Sequence, residues 1–196
     1  MLLGNVDVTA KEHDPDHKKC DYKGDDTSSG RHTEKRMCRC MYYYNRPGND
    51  CTACKFDWKW KHGEDGYDIE DYEAPMSKVI IGAGGVDILL QNIRDKEKFS
   101  VEVKPISSHE TIIRMIAEAL TYHDDIKFNK LYTPAIAFFK NSDQDKQIQS
   151  LLRSNENLAK ILKFRNIAVF MINVKPEKAD GIINEFVFER VDIKEQ

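Results

Sequence analysis

The sequence predicts an α/β domain, a mixed β-sheet flanked by helices, spanning residues 76–196 and preceded by a small cysteine-rich segment within residues 1–75. Two observations predict it. From residue 77 onward, short β-forming runs alternate with stretches of helical periodicity in the order β-β-β-α-β-α-β-β, which suits a mixed sheet with helices on its faces. Before residue 76 the chain is polar and holds all five cysteines, at positions 20, 38, 40, 51 and 54.

Taken in order, the N-terminal part begins with a polar stretch rich in Asp, Lys, His and Gly over 1–30, and a helix is plausible over 33–44. KVIIGAGGVDILLQ (78–91) reads as β-structure turning at Gly82–Gly85. KFSVEVK (98–104) is a second strand, with the preceding RDKEK as the hairpin connection. Ser107 and Glu110 form a capping box for a helix over 108–123, whose Ile112, Met115, Ile116, Ala119 and Leu120 keep helical spacing. TPAIAFF (133–139) reads as a buried strand. One helix is predicted over 143–163, capped by Ser142 or Asp143, followed by strands over 167–174 and 185–191.

Strand side chains alternate between faces. In Ser100-Val101-Glu102-Val103-Lys104, the valines take one face while Glu102 and Lys104 share the other. The hairpin brings Asp87 alongside from the preceding strand, between Val86 and Ile88. Neighbouring carboxylates repel, which raises a pKa unless a cation sits between them. Mg²⁺ (or Mn²⁺) suits such hard oxygen ligands. The ion polarises a phosphate and generates hydroxide, while an ammonium steadies developing charge. Acid-x-Lys alone is weak evidence, because it also occurs at Asp16, Asp21, Asp57, Asp125 and Asp192. The hairpin and the upstream Asp87 set the pair at Glu102 apart.

GGVDILL followed by SVEVK resembles the motif of the PD-(D/E)xK nuclease superfamily over about residues 76–191. The resemblance implies a restriction-endonuclease-like fold and a Mg²⁺-dependent nuclease acting on nucleic acid, DNA more often than RNA. Asp87 and Glu102 take the acid positions and Lys104 the lysine. Arg114, Glu118 and Tyr122 follow at successive i+4 steps on one helix face. Glu118-x-x-x-Tyr122 resembles the Q-x-x-x-Y helix motif of many members, with Glu replacing Gln; an exposed Arg–Glu pair with a Tyr at the core edge explains the same residues. Many members add an acid from an early helix, and Glu34, Glu70 and Glu73 are the candidates here.

Cys38, Cys40, Cys51 and Cys54 form two close pairs around a Pro47-Gly48-Asn49-Asp50 turn, the supply of thiols a structural Zn²⁺ site needs. The C-x-C half is equally compatible with a helix carrying two unrelated thiols. Cys20 and His32, with His13 and His17, are possible additional ligands. Residues 31–62 carry eight Lys/Arg against three acids, interleaved with Tyr42, Tyr43, Tyr44, Phe56, Trp58 and Trp60. That composition suits nucleic-acid contact, or equally the small core of a zinc module.

No apolar run reaches the roughly 20 residues of a bilayer span, and the first residues lack a basic, then apolar, leader pattern. The expectation is therefore an intracellular, cytoplasmic protein without a membrane partner. The net charge of −3 excludes a uniformly basic binder. Cutting both strands of a duplex would favour a homodimer, although nothing in the sequence marks an interface. A non-catalytic, zinc-containing nucleic-acid-binding or regulatory protein on a nuclease-like scaffold stays open beside the enzyme.

Overall fold

The structure is a computed structural model that describes residues 31–43, 58–60, 66–75, 85–125, 131–154, 156–176 and 184–193. Its elements are α1 (Arg31–Tyr43), β1 (Trp58–Trp60), β2 (Tyr67–Pro75), β3 (Gly85–Asn92), β4 (Lys98–Lys104), α2 (Ile112–Asp125), β5 (Thr133–Phe139), α3 (Asp143–Ser154), α4 (Glu156–Phe164), β6 (Ala168–Pro176) and β7 (Asn184–Arg190). The strands join in one seven-stranded sheet in the order β1-β7-β6-β5-β4-β3-β2. β4, β5 and β6 are parallel neighbours, β2, β3 and β4 pair antiparallel, and β7 runs antiparallel to β6 and parallel to β1. Parallel neighbours need crossover connections. Here α2 links β4 to β5, and α3 with α4 links β5 to β6.

Alternation along the strands divides the core into two layers. On one face Phe99, Val101, Val103, Ala135, Ala137, Phe139, Phe170 and Ile172 pack under Met37, Cys38 and Met41 of α1. On the other, Ile136, Phe138 and Val169 meet Ile112, Met115, Ile116 and Ala119 of α2, Ile148 of α3, and Leu158 and Leu162 of α4. Central β5 is apolar on both faces, as a strand covered on both sides must be.

β4 and β5 have the bounds expected from the sequence. Elsewhere local chemistry moved them. The capping box does not form: α2 begins at Ile112, with the Thr111 hydroxyl accepting from the Arg114 amide. The preceding loop is pinned by buried Gln144, whose Nε2 donates to the Ser108 and Glu110 carbonyls. The expected single helix over 143–163 is two, α3 and α4, and the Ser154 hydroxyl turns back onto the Ser150 carbonyl where α3 ends. α4 closes with a Schellman pattern, Ile167 N–H to Leu162 C=O and Asn166 N–H to Lys163 C=O, with Asn166 at φ 49°.

β2 is an unexpected strand. Tyr67 and Ile69 are buried, a register shift between Ile69 and Asp71 breaks the alternation, and Tyr72 and Ala74 then turn inward. The expected strand over 78–91 is described only from Gly85, where β3 runs close against β2. A Cβ at Gly85 would sit 3.0 Å from the carbonyl oxygens of Glu73 and Ala74. The composition change at residue 76 is therefore no break in the core, because β2 belongs to the same sheet as β3 to β7 and α1 packs in the apolar layer on its face. Among the described residues no helix is long and apolar enough to cross a membrane.

Phe170 sits edge-on to Tyr67, Phe99 and Phe188 with ring centroids 5.3, 5.0 and 6.3 Å away. Phe170→Ala should cost about 3–5 kcal/mol in urea unfolding. A loss below about 1 kcal/mol would contradict the aromatic layer as the centre of the core.

Candidate functional site

The β3–β4 hairpin sets the site. Asn92 Oδ1 accepts from the Arg94 amide, Asp95 Oδ1 from the Glu97 amide, and Lys96 takes φ 63° to close the loop. The resulting register runs Gln91↔Lys98, Leu90↔Phe99, Leu89↔Ser100 and Ile88↔Val101. Beyond that pair the side chain of Asp87 takes over, its Oδ2 accepting from the Val103 amide at 2.8 Å. Asp87 is thereby pinned beside Glu102 rather than exposed at a strand edge.

Glu102 and Lys104 are buried, at 3% and 6% exposure, while Val101 and Val103 enter the opposite apolar layer. The Lys104 ammonium lies 2.6 Å from Glu102, 3.1 Å from Glu34, 3.2 Å from Glu110 and 3.4 Å from Glu118. Glu34 comes from the first turn of α1, Glu110 from the loop before α2, and Glu118 from α2 itself.

Carboxylate oxygens of Glu34, Asp87 and Glu102 lie within 4.8 Å of one another. Glu102 Oε2 is buried and, with the carboxyl ionised, has no hydrogen-bond partner. An orphaned buried oxygen is costly, and three hard oxygen donors around it are the ligand set that Mg²⁺ or Mn²⁺ takes. These residues therefore fit a divalent ion.

The electrostatics agree. Burial, reinforced by Glu34, pushes the Asp87 pKa up to about 7. Burial and then the Asp87 charge raise that of Glu102, against the pull of Lys104. Glu34 is also raised by burial. Lys104 moves the other way round: burial alone would lower its pKa, but the carboxylates, Glu102 foremost, outweigh burial and hold the ammonium protonated. Burial works against the charge of Glu118 as well, but hydrogen bonding to Glu102 and Arg114 leaves its pKa lowered. Without a further cation, the cluster must retain protons.

Of the three early acids considered, Glu34 alone enters the cluster. Glu70 is engaged elsewhere, accepting from Lys98 at 2.6 Å and from the Tyr132 hydroxyl at 3.1 Å. Glu73 stands 3.6 Å from Lys35. Tyr122 packs against the Ala74, Val86 and Leu89 cluster, and its pKa is raised by burial and by Glu102. Glu110 was missed, having been read as a capping residue. It stands four residues before Arg114 in the row that continues to Glu118 and Tyr122, and that spacing was the available signal.

The cysteine reading fares differently. Cys38 is a free thiol buried in the apolar layer beside Met37 and Met41. Burial, then Asp87 and Glu34, push its pKa well up. The segment around it is helical, and residues two apart on a helix do not face one another. Cys38 thus lies in the apolar core, while the thiols of the other three cysteines of the zinc reading fall outside what the structure describes. The side chains of Cys40 and His32 and the whole of His13, His17, Cys20, Cys51 and Cys54 lie outside the described residues.

A cavity of about 360 Å³ opens at the other end of β4, lined by Lys96, Lys98, Tyr132 and Arg165 among others. Two of its cations are already matched, Lys98 by Glu70 and Arg165 by Asp124, and the acidic cluster is the better site.

The raised carboxyls give a signed expectation. A carboxyl whose pKa rises on folding binds more protons folded than unfolded between the two values. Its stabilising effect is complete below the unfolded value near 4 and is lost as pH climbs through about 7 for Asp87. In EDTA the Tm should fall between pH 5 and pH 8, and excess Mg²⁺ should restore part of it at pH 8. Asp87→Asn should flatten the dependence; an unchanged slope in that variant would contradict the assignment. Comparison of the chain with family models, curated proteins and solved structures returned no match, so its chemistry is read from the site itself.

Proposed function

We propose that the protein is a divalent-metal-dependent nuclease of the PD-(D/E)xK kind, hydrolysing phosphodiester bonds of nucleic acid, DNA foremost, on a restriction-endonuclease-like sheet. One observation carries this reading: the oxygens of Glu34, Asp87 and Glu102 converge within 4.8 Å beside the buried Lys104 ammonium. The resemblance in GGVDILL and SVEVK implies an early-helix acid, and Glu34 on α1 fits that part.

Glu34, Asp87 and Glu102 would hold Mg²⁺ or Mn²⁺. When bound, such an ion supplies Lewis acidity toward a phosphoryl oxygen and lowers the pKa of a water. The rest is the work of the chain. The carboxylates around Lys104 favour its charged form, so it places a positive charge where the phosphoryl oxygens gain negative charge. Glu110 and Glu118 restrain its ammonium from the α2 side. The Val103 amide fixes the Asp87 carboxylate, so that ligand need not reorganise when the ion binds.

The test is incubation of the purified protein with plasmid, linear duplex, single-stranded DNA and RNA in Mg²⁺, Mn²⁺ or EDTA. Cleavage should require the metal, and Asp87→Ala or Lys104→Ala should lower its rate by roughly 100-fold or more. Glu70→Ala should leave the rate unchanged. Cleavage that persists in Asp87→Ala removes the site assignment, and nucleic-acid binding with no cleavage in either metal favours the non-catalytic alternative.

A further inference from the structure

The charges around Lys104 continue outward in an ordered way. Glu110 offers Oε2 to Lys104 at 3.2 Å and Oε1 to Arg114 Nε at 2.5 Å. Glu118 does the same, with Oε2 3.4 Å from Lys104 and Oε1 3.0 Å from Arg114 Nε. Two carboxylates thus bridge a buried ammonium and an exposed guanidinium. Side-chain exposure rises along the series from 3% at Glu102 and 7% at Lys104, through 16% and 24% at Glu110 and Glu118, to 69% at Arg114.

The two cations differ in what they can still bind. An ammonium has three N–H donors, and Lys104 stands among four carboxylates. Arg114 spends Nε on Glu118, and its Nη1 and Nη2 groups have no hydrogen-bond partner among the described residues. An exposed i,i+4 ion pair by itself contributes little to stability. Here the pairs hold Nε of a charged guanidinium on a side chain that is 69% exposed. The five carboxylates of the cluster would repel a polyanion, and among the described residues Arg114 is the exposed cation paired with two of them.

We infer that Arg114, held by Glu110 and Glu118, is the residue that grips a phosphate of the nucleic-acid backbone, its two Nη groups meeting two non-bridging oxygens. The inference rests on the nuclease reading of the same site and extends it to how the substrate is held. A guanidinium fork matches two phosphate oxygens in a way an ammonium does not. The contact is with the backbone, so it acts on every sequence alike.

The experiment measures binding of fluorescently labelled single-stranded and duplex oligonucleotides to the full chain by anisotropy. It is run across a series of salt concentrations, in Ca²⁺, which takes the same oxygen ligands. Arg114→Ala should weaken binding about ten-fold for all sequences and reduce the slope of log affinity against log salt by about one. Arg114→Lys should recover the slope but only part of the affinity. Arg153→Ala, an equal charge change on α3, should alter neither. In cleavage assays Arg114→Ala should raise KM more than it lowers kcat. If Arg114→Ala binds with wild-type affinity and slope, the inference is overturned while the nuclease reading stands. Loss of cleavage with intact binding also overturns it, since Arg114 would then act only through the carboxylates that hold Lys104. If the wild-type chain binds no nucleic acid, both readings fall together.

Discussion

A buried ammonium and its carboxylates are the constraint from which the rest of the site follows. Lys104 brings a positive charge into a largely dehydrated space at the end of β4, where it would be costly alone. Glu102, Glu34, Glu110 and Glu118 compensate it from a strand, two helices and a loop. The compensation overshoots. With Asp87 included, the negative groups outnumber Lys104 and Arg114, and the surplus is settled by protons or by a divalent ion. On the proposed reading, a divalent cation would neutralise that surplus.

The sheet makes such a surplus tolerable. Under Glu102 and Lys104, Val101 and Val103 enter an apolar layer with Phe99, Phe139 and Phe170, so β4 is anchored on one face while charge gathers on the other. The ladder between β3 and β4 is regular from Gln91 to Ile88. It gives way to the Asp87 carboxylate where the charged groups begin. Regular pairing serves stability, and its interruption frees backbone donors to position ligands. The two demands meet within a few residues of one hairpin.

Much of this was visible in the order of residues. The bounds of β4 and β5 followed from dense β-forming runs, and the buried face of α2 followed from its apolar spacing. β2 was hidden because a bulge shifts its alternation and acids occupy its outward positions. The start of α2 was misplaced because Ser107 and Glu110 mimic a cap. In the fold Glu110 is drawn to Lys104 and Arg114, and Thr111 caps the helix instead. The spacing of Cys38 gave no sign of its burial beside Met37 and Met41, which only the packed helix shows.

By itself the sequence determined which side chains share a surface. A period of two places Glu102 with Lys104 and opposite the valines, and a step of four aligns Arg114, Glu118 and Tyr122. Those are local rules, readable over a few residues. Which helix acid would complete the cluster was decided by the tertiary path alone, since Glu34 reaches Lys104 across a separation of 70 residues. So were the stranded Glu102 Oε2 and the raised pKa of Asp87, because burial belongs to the packed chain and has no expression in a spacing.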